Sequence, residues 1–375
     1  MNTPFIFGKT VSGEAFTDRE NETAKLVSNF QYGVNTFIVS PRRWGKTSLV
    51  KKVKGLAESE KLKIVYVDVQ QCRCKEDFCE RFASAVLSQT ATKVNEWLEN
   101  AKTFLGRFSF GINASPDPTN EMSLKINLSP KERSMEDLLQ LPEKIANRKG
   151  FRVVVCIDEF QQIGSYPETM QFQTELRSVW QHHELTSYCL FGSRKHMMEA
   201  LFDDVSKPFY KFGDIIYLQR IPTEYWVKYI TGKFQIAEKI ITKKQAAWIV
   251  AQVDGHSSYV QQLSWYVFQR TETKVTESIL TDALRELIAQ CSDLFESKTE
   301  NLTAYQMNFL KAISNGVTGG FSSTKVIQEY RLGSSANVSI IKKALIEKDL
   351  IVKEDKELKL ADPVLGLWLQ HENAQ

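Results

Sequence analysis

This chain of 375 residues lacks the marks of several protein classes. No apolar run approaches the roughly 20 residues that a membrane helix needs. Even Val153-Val154-Val155-Cys156-Ile157 stops at an acidic pair. The opening residues Met1-Asn2-Thr3-Pro4-Phe5-Ile6-Phe7-Gly8 have neither the basic region nor the long apolar stretch of a signal peptide, so a soluble, cytoplasmic chain is expected. Cysteine is sparse, with six residues. Cys72, Cys74 and Cys79 cluster, but no fourth ligand stands near and the spacing fits no common zinc site; reduced, partly buried thiols at a helix start are expected. Internal repeats and low-complexity stretches are missing. With 42% hydrophobic and 25% charged residues, collagen-like, disordered and disulfide-scaffold chains are excluded. A dominant charge is missing too. The 48 Lys+Arg against 45 Asp+Glu leave +3, which permits nucleic acid or acidic lipid as partners but demands neither.

What is present is alternation. At roughly 100–200 residues per domain, the length suggests two or three domains. Strand-like stretches at 35–40, 61–69, 151–157, 187–192 and 214–218 alternate with helical ones at 45–59, 76–97 and 168–182. That rhythm implies a parallel sheet with helices on both faces. Residues 104–130 break it: R-F-S-F-G-I-N and M-S-L-K-I-N-L alternate apolar and polar residues around a polar turn, as in an inserted antiparallel hairpin. The pattern is purely helical from 222 to about 298. Helices at 303–314, 324–330 and 334–349 follow, then a ribbon of 350–353 with 357–360, the outline of a winged helix. The expected domains are therefore 1–220, 221–300 and 301–375. These occupy the whole length, so any effector is expected to be a separate protein.

Two motifs carry chemistry. Ser40-Pro41-Arg42-Arg43-Trp44-Gly45-Lys46-Thr47, followed by Ser48, fits G-x-x-x-x-G-K-[ST] except that Ser40 replaces the first glycine. Between a strand and a helix, its backbone N–H groups and the helix N-terminus attract phosphate. Gly45 permits close approach, Lys46 reaches the β- and γ-phosphates, and the Thr47 hydroxyl ligates Mg²⁺. The second motif ends a buried strand with Asp158-Glu159, at the sheet edge where an open parallel sheet binds its ligands. Asp158 is expected to hold Mg²⁺ through a water, and Glu159 to deprotonate the attacking water. Together the motifs imply a nucleotide site for ATP/ADP. Ser193 and Arg194 end a third strand at the same edge and are candidates for sensing the γ-phosphate. Arg177 is weighed as an arginine finger for a neighbouring subunit against a solvated helix face. Trp180 and Trp265 are read as core.

These residues resemble the archaeal-type ATPase family of the STAND class of AAA+-related P-loop NTPases, in the branch common in Bacteroides-like bacteria. The similar stretches are Phe16-Thr17-Asp18-Arg19-Glu20-Asn21-Glu22, S-P-R-R-W-G-K-T-S-L, I-D-E-F-Q, G-S-R-K-H-M-M, P-F-Y-K-F-G at 208–213 and Ala361-Asp362-Pro363-Val364-Leu365. In that branch the first loop glycine is often Ser, as at Ser40. The resemblance implies an α/β P-loop core of sheet order 5-1-4-3-2, a helical lid and a C-terminal winged helix. It also implies that Asp18 and Arg19 lie beside the adenine or phosphates. The residues themselves read as a helix start capped by Thr17 or Asp18. Gly255-His256-Ser257-Ser258-Tyr259-Val260-Gln261 resembles a lid motif that closes over the nucleotide, with Ser257 in the place of its proline. A plain helix capped by Ser257 or Ser258 is the alternative, and His256 is read as structural.

Two functions follow as expectations. One is a switch in which ATP closes lid and winged helix and slow hydrolysis resets them, with a protein partner or effector. The other is a DNA-associated ATPase similar to archaeal replication initiators. It would use Asn337, Ser339, Lys342 and Lys343 of the third helix with Lys353, Lys356 and Lys359 of the ribbon. Glu347, Asp349, Glu354, Asp355 and Glu357 intersperse with these, so the segment lacks the basic excess that phosphate contacts require, and the switch is preferred.

Overall fold

The computed structural model describes residues 4–9, 17–91, 94–105, 109–113, 123–127, 133–354 and 357–372. The chain folds into two compact units. One comprises Arg19–Gln219, the other Met1–Asp18 together with Arg220–Gln375.

The first unit is built on a five-stranded parallel sheet: β1 (Thr36–Val39), β2 (Leu62–Asp68), β3 (Arg152–Asp158), β4 (Thr186–Gly192) and β5 (Asp214–Tyr217). Its order is 2-3-4-1-5, the expected 5-1-4-3-2 seen from the opposite edge. β1 and β4 are buried along their whole length, as continuous apolar runs covered by helices on both faces must be. Register brings the strand ends level: Asp68 pairs with Asp158, Ile157 with Leu190 and Val39 with Gly192.

Aromatic residues fill one face. Trp180 stacks on Tyr188 at 4.0 Å, and Phe209 meets Phe160 and Phe212 at 5.3 Å each. The 208–213 stretch is thus a core plug. Arg177 lies with its guanidinium 4.7 Å from the Phe212 ring centre and is half-buried there, rather than on a solvated face. All six cysteines are free thiols, and only Cys74 is not buried.

The helix expected over 76–97 is two helices, Lys75–Thr90 and Val94–Leu105. Ala91 is extended. The Thr90 hydroxyl bonds back to the Val86 carbonyl at 2.6 Å, and the Thr90 carbonyl accepts from Lys149 at 3.2 Å. A side chain competing for the helix carbonyls and a cation capping the end stop the helix there. The insertion contains an antiparallel pair, Ser109–Asn113 with Ser123–Asn127; its turn lies outside the described residues.

The second unit is helical with one ribbon. Helices Thr223–Ile236, Lys243–Gln252, Ser257–Arg270 and Glu277–Thr299 precede Ala304–Ser314, Thr324–Glu329 and Ser335–Glu347. The ribbon Ile351–Glu354 with Glu357–Leu360 and a final helix, Pro363–Glu372, complete it. One continuous core runs through lid and winged helix. Phe295 meets Trp368 at 5.9 Å, and Tyr259 donates to Asp362 at 2.8 Å. Arg220 bridges Asp254 and Glu354. Phe5 is buried in the same core against Tyr229, Phe234 and Phe268, held by a Tyr229 hydroxyl donating to the Pro4 carbonyl. Trp180 is fully buried and Trp265 partly so. Among the described residues, no helix is long and apolar enough to cross a membrane.

Candidate functional site

Buried Ser40 follows β1, and the chain turns through Pro41 to Trp44 into the helix Lys46–Ala57. Arg43 and Gly45 adopt left-handed conformations, with φ of 63° and 91°. At Gly45 this turn needs the residue without a Cβ, since a side chain there is strained. The loop folds over Lys46, whose ammonium donates to the Ser40 carbonyl (3.0 Å), the Pro41 carbonyl (2.8 Å) and the Ser40 hydroxyl (3.3 Å). Ser40 therefore supplies an oxygen to the lysine that a glycine lacks. Burial lowers the Lys46 pKa to about 8; Glu159 and Asp158 pull it back up, and Arg42 adds to the lowering. Arg42 and Arg43 are exposed, whereas Trp44 and Ser48 are buried.

Thr47 and Asp158 lie together. The Thr47 hydroxyl donates to Asp158 Oδ2 at 2.8 Å. The Tyr66 phenol donates to the same oxygen at 2.5 Å, and the Glu159 amide to Oδ1 at 2.9 Å. Burial raises the Asp158 pKa, while the hydrogen bonds from Tyr66 and Thr47 work against it and the Glu159 charge adds to the rise. Burial, reinforced by the Asp158 charge, pushes the Tyr66 phenol far up as well, so it stays a donor. A hydroxyl and a carboxylate side by side are hard oxygen donors of the kind that suit Mg²⁺, which keeps few protein ligands and completes its shell with water and phosphate.

Glu159 sits at φ 54°, a left-handed conformation that costs a non-glycine residue about 1–3 kcal/mol and recurs at functional positions. Its carboxylate is oriented from two sides. Ser193 donates its hydroxyl to Oε2 at 2.8 Å, and the Gln161 amide donates to the same oxygen. Gly192 makes room for this: a Cβ there would lie 1.7 Å from Gln161 Oε1.

The structure thus brings Ser40, Pro41, Lys46, Thr47, Asp158, Glu159 and Ser193 to one sheet edge. Arg194 is exposed, with Nη1 3.6 Å from Met197 Sδ. Arg19 is buried; its Nη1 pairs with Glu22 at 2.7 Å and its Nη2 is a buried donor without a partner. Asp18 and Ser257 belong to the other compact unit. Two capping expectations are corrected. Helix Glu20–Tyr32 begins after Arg19, which is left-handed (φ 79°) and makes no side-chain cap; Asp18 at φ 58° turns the chain the same way. Helix Ser257–Arg270 begins after His256, not after a capping serine, because the turn from the preceding helix ends there with the His256 amide bonded to the Val253 carbonyl. Tyr66, Gln161 and Gly192 were not singled out from the sequence as site residues. Gln161 and Gly192 stand inside the I-D-E-F-Q and G-S-R stretches, but nothing local marks Tyr66.

Residues 31–201 match the model of the AAA domain family, and residues 293–371 match the family described as "Probable winged helix domain". No curated protein matches the sequence. Among solved structures, a Walker-type ATPase of Pyrococcus abyssi superposes with a TM-score of 0.68 at 16% identity, over 98% of this chain and 99% of that one. The Aeropyrum pernix ORC2 protein, in ADPNP-ADP complexes, has a TM-score of 0.56 at 15% identity, over 95% of each chain. The Aeropyrum pernix ORC1 protein in complex with DNA has 0.50 at 13%, over 96% and 94%. At these identities the likeness is one of fold: an AAA P-loop core, a helical region and a C-terminal winged helix.

Proposed function

We propose that the chain is a Mg²⁺-dependent, ATP-binding P-loop ATPase that hydrolyses ATP slowly to ADP and phosphate and works as a nucleotide-dependent conformational switch of the STAND type. One observation carries this: Lys46, Thr47, Asp158, Glu159 and Ser193, from three separate strand ends, meet in hydrogen-bonded geometry around one loop. The loop amides and the N-terminus of helix Lys46–Ala57 cradle the phosphates, and Lys46 exchanges its loop carbonyls for phosphate oxygens. Thr47 and Asp158 hold Mg²⁺, which neutralises charge on the β- and γ-phosphates when bound. Glu159, aimed by Ser193 and Gln161, orients a water for in-line attack and accepts its proton. Arg19, with its buried unpartnered Nη2, and Asp18 are nucleotide contacts in this reading, and Ser257 is the lid's.

A difference in the contacts that ATP and ADP make would shift the conformational equilibrium. The readout is a protein partner or effector in the cytoplasm. DNA binding through the winged helix is the second reading, favoured by the fold likeness to an ORC protein solved with DNA. Side-chain pairing weighs against it. Asn337, offered to DNA by the sequence, turns inward and donates to the Leu332 carbonyl at 2.9 Å. Lys359 pairs with Glu354 at 3.2 Å and Lys343 with Glu347 at 3.9 Å. Lys356 and Asp355 lie outside the described residues.

Calorimetry of Mg-ATP binding to Lys46→Ala tests the site, with loss of binding expected; unchanged affinity would reject it. Glu159→Gln is expected to bind ATP and lose turnover.

A further inference from the structure

The edge strand β2 contributes one contact that phosphate binding does not require. Tyr66 pairs in register with Cys156, two residues short of Asp158. Two strand residues span about 6.6 Å, close to the reach of a phenol lying along the strand. Its hydroxyl arrives at Asp158 Oδ2 at 2.5 Å, beside the Thr47 hydroxyl at 2.8 Å.

The other end of Tyr66 is fixed just as firmly. Among the described residues β2 has no strand on its outer side, and Gln89 of helix Lys75–Thr90 takes that place. Its Oε1 accepts from the Tyr66 amide at 2.9 Å, and its Nε2 donates to the Tyr66 carbonyl at 2.8 Å. The side-chain amide thus satisfies both edge groups as a neighbouring strand would. Lys54, on the helix that follows the phosphate loop, donates to the same Gln89 Oε1 at 3.2 Å. A chain of contacts runs from helix Lys46–Ala57 through Gln89 and Tyr66 to Asp158.

We propose that Tyr66, clamped by Gln89, is a positioning residue that holds Asp158 against Thr47 in the orientation a divalent cation requires. This rests on the cation assignment made above. Oδ1 is fixed by the Glu159 amide, and Oδ2 by Thr47 and Tyr66. Without the phenol hydroxyl, Oδ2 keeps only the Thr47 hydroxyl and Oδ1 only the Glu159 amide, so the carboxylate is held less tightly. Partners of this kind behind a metal ligand typically contribute about 10–100-fold in metal affinity.

The test uses Mn²⁺ as a paramagnetic probe, titrated by electron paramagnetic resonance into the full chain with saturating ATP. Tyr66→Phe is expected to weaken Mn²⁺ binding about tenfold or more. Its ATP affinity in EDTA should stay at the wild-type value. Gln89→Leu, which keeps the hydroxyl but frees the backbone of Tyr66, is expected to fall between the two. It serves as the second variant if Tyr66→Phe folds poorly, as judged by thermal melting in EDTA. Equal Mn²⁺ affinity in wild type and both variants overturns the positioning role, as does an equal loss of ATP affinity with and without metal. Wild-type protein that binds ATP no better with Mn²⁺ than in EDTA instead overturns the cation site itself.

Discussion

The Ser193 hydroxyl donates to Glu159 Oε2 at 2.8 Å, joining the end of β4 to the end of β3. Glu159 holds that position from a left-handed backbone, and the amide of Gln161 donates to the same oxygen. With the Ser193 amide at 3.4 Å, these donors define where the carboxylate aims.

Ser193→Ala removes the hydroxyl donor to Oε2 and leaves the Gln161 amide and the longer Ser193 backbone N–H contact at 3.4 Å. Single-turnover hydrolysis is expected to slow about tenfold, within the range that a misplaced general base costs. Calorimetric affinity for Mg-ATP should not change, because Ser193 is not part of the phosphate loop.

Gly192→Ala forces a methyl group into the space of Gln161 Oε1. Overpacking at this point is expected to cost about 1–3 kcal/mol of stability, measurable by urea unfolding, and to slow hydrolysis by displacing Gln161. Adding Gln161→Ala should restore the stability but not the rate. That outcome in a double-mutant cycle would identify the clash as the cause.

Lys46 carries a pH signature. Its folded pKa of about 8 lies below the unfolded value of 10.5 because burial removes the ammonium from water. Below pH 8 the group is charged in both states, and the cost of burying that charge is present in full. Between pH 8 and 10.5 the unfolded chain binds more protons, so stability of the nucleotide-free protein rises with pH. Lys46→Met should lose this rise in unfolding experiments. The binding counterpart has the opposite sign. Phosphate attracts the ammonium form, so Mg-ATP affinity is expected to fall by up to about tenfold per pH unit above pH 8.

Trp368→Ala opens a cavity beside Phe295 in the core that lid and winged helix share. A loss of about 3–5 kcal/mol is expected. Hydrogen exchange should quicken in helix Glu277–Thr299 as well as in Pro363–Glu372, since both elements bury into one cluster. Acceleration confined to the final helix would mean that the two regions unfold independently.

Duplex DNA binding should be weak, with a shallow dependence on salt. The lysines of the winged helix are interleaved with acidic groups, and the Asn337 amide is held by the Leu332 carbonyl. A log–log slope steeper than about −4, corresponding to four or more phosphate contacts, would favour the DNA reading instead.

Much of the architecture was legible before folding. Buried parallel strands need unbroken apolar runs, so the stretches ending at Val39, Ile157 and Gly192 announce themselves, as does the glycine-lysine-threonine turn between a strand and a helix. Such signals are local, a few neighbouring residues each. Element ends were less legible. Ala91 breaks a continuous helical pattern because Thr90 and Lys149 compete for the last carbonyls, and Lys149 is 59 positions away.

Which residues carry charge and nucleophile-activating groups at strand ends, and that a strand–loop–helix turn gathers phosphate-binding amides, is written in the order of the amino acids. What orients them comes from the folded sheet. Tyr66 meets Asp158 across 92 positions, Ser193 meets Glu159 across 34, and Lys54 meets Gln89 across 35. Strand register and the reach of individual side chains set these pairs. As a total, the balanced charge of 48 Lys+Arg against 45 Asp+Glu carries little meaning. The fold gives it one, since Arg220 with Glu354 and Lys359 with Glu354 spend charge on internal pairing in the winged-helix unit. A chain's local pattern encodes its elements, but contacts between distant residues exist only once the sheet has placed its strand ends side by side.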